Sequence, residues 1–340
     1  MSALKPAALA GALALALSLA PSAAAGTPDP PDERPDPPAP VRLRVAATGD
    51  LLIHSPNIAR ALRLGGGSRY VFSPMFARVA PHLRAADLAL CHVETPIGAG
   101  TPSGYPRFSA PASLAAAIAH VGFDACSTAS NHTLDRGQAG INSTLQALDR
   151  HGIHHAGSAR TRAESRRLTL FTVKGVRVAL LSATDVDNGL PQAHPWSVNR
   201  LSVPRLVADA QRARRAGARL VIVNLHWGVE YRHQPSPRQR SVALRLTRAP
   251  AIDAVVGQHA HVVQPIERVN GKPVVFGTGN LISNQTSACC PAATQNGIVA
   301  LLDFTVGPRG ARVTRMGYLP TRVRHPDFTV LVTGRARTVG

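Results

Sequence analysis

Short apolar runs rich in β-branched residues alternate with longer amphipathic stretches along most of this chain. Residues 42–48, 87–92, 123–128, 177–183, 219–225, 254–256 and 274–276 each read as a buried strand. Between them the period changes. In residues 203–217, apolar Val203, Leu206, Val207, Ala210 and Ala213 follow i, i+3, i+4, i+7 spacing, with Arg205, Arg212 and Arg215 on other faces and Gly217 suited to the stop. The pattern predicts a helix whose arginines form a solvated face. Alternation of this kind implies an α/β fold, with a largely parallel central sheet covered by helices. Residues 297–306 and 311–319 read instead as a hairpin or meander joined across 307–310, so the sheet becomes mixed. Residues 284–296 form a polar loop of small residues. Residues 325–340 read as a last strand and a tail.

The ends of the chain carry a different pattern. After Lys5, residues 7–20 are uninterruptedly apolar or small, Pro21 and Ser22 break the run, and Ala23 to Ala25 offer a cleavage site before Gly26. Residues 1–25 therefore read as a signal peptide, the run being too short for a spanning helix of about 20 residues. Residues 26–40, dense in Pro and Asp, read as an extended spacer. A domain over 41–320 follows, with 321–340 as a C-terminal strand or tail. The expected location is secreted or extracytoplasmic, with wall association open.

The net charge of +19 is an arginine excess. It suits an anionic envelope or capsule polymer as partner, although an Arg- and Ala-rich composition gives the same sum without any partner. Nucleic acid gains support from charge alone, since no nucleic-acid-binding motif accompanies it. Cys91, Cys126, Cys289 and Cys290 allow three pairings and read as structural; the vicinal pair would close a strained ring.

Polar residues gather where strands end. Thr48-Gly49-Asp50 follows the first strand, with His54 nearby; His92-Val93-Glu94-Thr95-Pro96 the second; Ser130-Asn131-His132-Thr133-Leu134-Asp135 the third. Later strands lead into Asn224-Leu225-His226-Trp227-Gly228, Gly257-Gln258-His259-Ala260-His261 and Gly277-Thr278-Gly279-Asn280. Ligands of α/β sheets bind beyond the carboxyl ends of the strands. Asp50, Glu94, Asn131, His132, His226, His259 and His261 are thus delivered to one edge. Carboxylate, imidazole and amide donors suit Mn, Fe or Zn better than Ca or Mg, and two ions with a shared carboxylate would activate a water. Taken singly, Gly-Asp reads as a turn and His226 beside Trp227 as a packed pair; the conjunction carries the reading. His151, His154 and His155 have no assigned role.

Thr48-Gly49-Asp50, Val93-Glu94-Thr95-Pro96-Ile97, Asn131-His132-Thr133-Leu134-Asp135, His226-Trp227-Gly228-Val229-Glu230-Tyr231 and Gly257-Gln258-His259-Ala260-His261-Val262-Val263-Gln264-Pro265, in this order, resemble the CapA family of bacterial capsule and poly-γ-glutamate synthesis. The resemblance spans residues 43–306 and implies the four-layer α/β/β/α sandwich of the calcineurin-like metallophosphoesterases. It implies Asp50, Glu94, Asn131, His226, His259 and His261 as metal ligands and His132 beside them as a general acid or transition-state stabiliser. His92 and Ser130 stand where the family commonly has Asn, and Leu281 where it has Phe. These departures bear on substrate contacts more than on metal binding.

Two functions follow as expectations. One is an extracytoplasmic hydrolase of phosphoester, amide or ester bonds in capsule or other envelope polymers, using water activated by two metals. The other is a non-catalytic polyanion-binding factor for capsule export or attachment, whose metal site is structural or vestigial.

Overall fold

Residues 39–308 and 310–340 are described by the computed structural model. The expected signal peptide, and all but the last two residues of the spacer, lie outside them. The first part of the chain forms β1 (Val41–Leu51), α1 (Ser55–Leu64), α2 (Ala80–Arg84), β2 (Leu88–Val93), α3 (Ser113–Val121), β3 (Ala125–Ser127), α4 (Gly137–Arg150) and β4 (His154–Ala156). The middle forms β5 (Thr169–Val173), β6 (Val176–Thr184), α5 (Val203–Arg215), β7 (Leu220–His226), α6 (Pro237–Arg248), β8 (Ala254–Gln258), β9 (Ile266–Val269) and β10 (Lys272–Val275). The last part forms β11 (Asn280–Ile282), β12 (Asn296–Gly307), β13 (Gly310–Arg324), β14 (Thr329–Val332) and β15 (Arg337–Val339).

Periodicity alone implied one central sheet, and the family resemblance implied two mixed ones; the strands divide into two. The nine-stranded sheet runs β14-β13-β12-β1-β2-β3-β4, with β11 also on β1 and β15 on β13. The six-stranded sheet runs β5-β6-β7-β8-β10-β9. Both are mixed. β1 to β4 are parallel, as are β6, β7, β8 and β10, while β12 to β15 and the edge strands β5 and β9 add antiparallel pairs. Every strand read from the sequence is present. The strands that escaped it (β4, β5, β9, β11, and the second of two strands where one last strand was expected) span three to five residues each. Residues 325–340 supply β14 and β15, both paired with the long β13.

Side-chain alternation explains why the sheets face each other. Successive strand residues point to opposite faces. In β1, Leu43, Val45 and Ala47 enter a core shared with Leu220 and Ile222 of β7 and Ala254 and Val256 of β8. Ala46 and Leu51 enter another, with Ile58 and Ala61 of α1 and Leu114 and Ile118 of α3. Val221, Val223 and Leu225 of β7 turn instead to Leu206 and Ala210 of α5 and to Val242 and Leu246 of α6. Near-continuous apolar strands are what burial on both faces demands. α5 starts where expected, with the Ser202 hydroxyl accepting from the Arg205 amide and Pro204 in the first turn. Cys91 and Cys126, opposite each other on β2 and β3, form a disulfide.

Candidate metal centre

The two sheets bring the carboxyl ends of their parallel strands to one place. A register shift between Ala47 and Asp50 bulges the end of β1, and the Asp50 amide donates to the Gly279 carbonyl at 3.1 Å. A side chain at Gly49 has no room: a Cβ there would lie 1.7 Å from the Gly279 oxygen. Asp50 is thereby pressed inward and fully buried, as is Glu94 just beyond β2. His226 ends β7. His259 and His261 follow β8 with φ of 90° and 55°, a left-handed backbone that costs a non-glycine residue roughly 1–3 kcal/mol each. Gly257 lets β8 approach its neighbours, since a Cβ there would lie 2.1 Å from the Phe276 oxygen and 2.3 Å from the Trp227 Nε1.

The sequence-derived residues converge. Asn131 Oδ1 lies 2.8 Å from His226 Nε2, and Asn131 Nδ2 donates to Asn188 Oδ1 at 3.2 Å, so the amide oxygen faces the cluster. His261 Nδ1 lies 3.3 Å from Asp50 Oδ2, and its Nε2 is 3.8 Å from Glu94 Oε1. His226 Nε2 is 3.9 Å from the same Glu94 oxygen. The His226 and His259 rings are 4.6 Å apart. Three donor groups, each within 4.8 Å, overlap: Asp50, His92 and His226; Asp50, Glu94 and His261; Glu230, His259 and His261. Asp50 and His261 each belong to two of them, so the cluster is continuous.

Its electrostatics fit a cation. Asp50 Oδ1, both Glu94 oxygens and His259 Nδ1 are buried without a hydrogen-bond partner. Buried polar atoms are ordinarily paired, and a buried carboxylate demands a counter-charge. Burial, then the neighbouring Asp50, holds the Glu94 carboxyl well above its ordinary value. Burial pushes the imidazoles down: His92 to about 4, His259 to about 3 with help from His261, and His226 well below normal. Neutral imidazoles are the form that binds metal. His261 departs the other way; Glu94 and Asp50 outweigh its burial and push it up to about 9.

His132 stands beside this cluster. Its Nδ1 bonds Asp135 Oδ2 at 2.9 Å, and the Phe108 ring meets it edge-on at 4.7 Å. Asp135 is itself anchored by the Phe108 amide at 2.8 Å. A cavity of about 730 Å³ opens over His132, Asn131, Glu230, Tyr231 and His261, with Arg107 as the arginine on its wall. His54 lines it too, its Nδ1 accepting from the Asn284 amide at 3.1 Å.

Sequence reasoning passed over two residues. Glu230 received no role, yet its carboxylate lies 3.9 Å from His261 Nε2. His92 was read as a departure bearing on substrate; its Nε2 is 2.9 Å from His226 Nδ1 and 3.8 Å from Asp50 Oδ1, inside the cluster. The signal for His92 was its spacing, two residues before Glu94 at the end of one strand, which puts both on one face.

Comparison with known proteins adds three findings. Residues 44–285 match the model of the family described as bacterial capsule synthesis protein PGA_cap. The capsule biosynthesis protein CapA of Bacillus anthracis is 28% identical over 72% of this chain and 60% of its own length, and the PGA biosynthesis protein CapA of Bacillus subtilis 27% over 62% and 57%. This chain thus spans somewhat more than half the length of those relatives. Among solved structures, the calcineurin-like phosphoesterase YfkN of Bacillus subtilis aligns with a TM-score of 0.49 at 15% identity, covering 87% of this chain and 93% of that one.

Proposed function

This chain belongs to the bacterial capsule synthesis family, and from that premise we propose that it is a metal-dependent hydrolase acting outside the cytoplasm on an anionic capsule or envelope polymer, such as poly-γ-glutamate. One observation carries the proposal. Three of the four carboxylate oxygens of Asp50 and Glu94 are buried and unpaired, and they face His92 and His226, imidazoles that burial keeps neutral, as well as His261.

Asp50, Glu94, Asn131, His226, His259 and His261 would hold one or two divalent ions, and Mn, Fe or Zn suits this donor set. Such ions supply Lewis acidity toward water and toward an oxygen of the scissile phosphoester, amide or ester. His92 and Glu230 lie close enough to complete or orient the set. Asp135 holds His132 through Nδ1, which leaves Nε2 to pass a proton to the departing group. Arg107 would pair with an anionic group of the polymer at the cavity wall.

Purified protein should carry Mn, Fe or Zn at close to stoichiometric level. It should cleave aryl phosphate esters or poly-γ-glutamate, and His132→Ala should lower turnover by roughly 10²- to 10⁴-fold with metal content unchanged. Metal-loaded protein that cleaves none of these, yet binds the polymer in a salt-sensitive way, would replace the hydrolase with a polyanion-binding export or attachment factor. The net charge of +19 supports that second reading.

A further inference from the structure

The loop from Asn284 to Pro291 forms one wall of the cavity and carries two adjacent thiols. Cys289 is exposed, Cys290 half-buried, and both line the same cavity as Glu230, Tyr231 and His261. A turn holds them, with both cysteine amides donating to the Thr286 carbonyl, at 3.1 Å and 2.8 Å. Their sulfurs lie 2.7 Å apart, well inside ordinary non-bonded contact. A chain of polar contacts leads inward from them. Cys290 Sγ is 4.0 Å from the Tyr231 hydroxyl, which accepts from Gln285 Nε2 at 3.5 Å. Gln285 Oε1 accepts from Asn280 Nδ2 at 2.9 Å, and Asn280 Oδ1 bonds His261 Nδ1 at 3.0 Å.

We propose that Cys289 and Cys290 form a dithiol–disulfide couple on the wall of the metal-ligand cavity, and that its state alters cation binding at His261 through Tyr231, Gln285 and Asn280. The second clause rests on the metal reading above; the first does not. The ring strain that argued against this pair as a structural disulfide argues for it as a reversible one, because strained and exposed disulfides are the easily reduced kind. The oxidant is a low-molecular-weight disulfide. Cys289 loses its proton to solvent and attacks one sulfur of that disulfide, expelling one thiol. Cys290 then loses its proton and displaces the second thiol as the Cys289–Cys290 bond forms. Two protein thiols are oxidised and one external disulfide is reduced. Burial, and the Cys289 side chain, push the Cys290 thiol up to about 11, so the exposed Cys289 makes the first attack.

Reduced full-length protein is treated with oxidised glutathione, quenched with N-ethylmaleimide and digested, and the peptide bearing both cysteines is weighed. The expected species is lighter than the dithiol by two hydrogens and carries no alkyl group. Cys290→Ser should stop at the glutathione adduct on Cys289, and Cys289→Ser should leave the slower Cys290 thiol largely unmodified. Full alkylation, a stable glutathione adduct on the unaltered protein, or cross-linked dimers would overturn the couple. Mn²⁺, a poor partner for thiolates, then probes the cavity by electron paramagnetic resonance. Reduced and oxidised protein should differ in Mn²⁺ affinity by about fivefold or more, and the Cys289→Ser, Cys290→Ser double variant should show no difference after the same treatment. Equal affinities would overturn the link to His261. Absence of Mn²⁺ binding in both states would sink that link, absence of Fe²⁺ and Zn²⁺ binding as well would sink the metal reading with it, and the mass result decides the couple alone.

Discussion

Both Glu94 oxygens are buried without a hydrogen-bond donor among the described residues, and the acid–base behaviour of the site follows from that burial. Removal from water, then Asp50, favours its protonated form, while Glu94 and Asp50 overcome burial at His261 and push that imidazole up to about 9. Below that pH the metal-free cluster therefore retains a proton among these groups, and an entering cation displaces it. Divalent-metal binding at pH 7 should release protons, and affinity should rise with pH until about 9 and flatten above it. Calorimetry in two buffers of different ionisation enthalpy reads this directly; an observed enthalpy independent of the buffer would contradict it. The six positions proposed as ligands, and His132, could be picked out because each lies at or shortly after a strand end. Glu230 was not, because it reaches His261 only where the loops after β7 and β8 meet.

At the scale of elements, backbone approach aims the ligands. β8 lies against the Phe276 carbonyl and the Trp227 indole, which donates to that carbonyl at 2.9 Å. Gly257→Ala must push these groups apart, and His259 and His261 follow directly. It should destabilise by about 1–3 kcal/mol and lower bound metal well below that of the parent; metal analysis of folded variant with unchanged content would refute the argument. The cap of α6 offers a contrast. The Ser236 hydroxyl accepts from the Gln239 amide, and the Gln239 side chain returns to the Ser236 amide. Ser236→Ala should cost about 1 kcal/mol in denaturant unfolding without altering metal content, because the helix packs on the outer face of the sheet. The longer strands and α5 were visible as periodicity in the sequence, and β3, β8 and β10 as short apolar runs. The other strands of three to five residues were not, since so few positions establish no period.

For the whole molecule, the cluster joins the two sheets: Asp50 and Glu94 follow strands of one, His226, His259 and His261 strands of the other. A bound cation therefore ties the sheets together where their facing apolar core ends. Chelation should lower the melting temperature, and free metal at about 100 times its Kd should restore about 2.7 kcal/mol of stability; a melting curve indifferent to chelator and metal would contradict this. By itself the sequence determined the α/β class, most strands, the helix at Val203–Arg215 and the residue types at each strand end, because those depend on spacing along the chain. Only the tertiary structure decided which strands pair in each of the two sheets, that His92 and Glu230 join the cluster, and that Cys289 and Cys290 face the cavity. Strand pairing and the meeting of loops join residues as distant as Asp50 and His261, and no local period encodes which partner lies across such a gap.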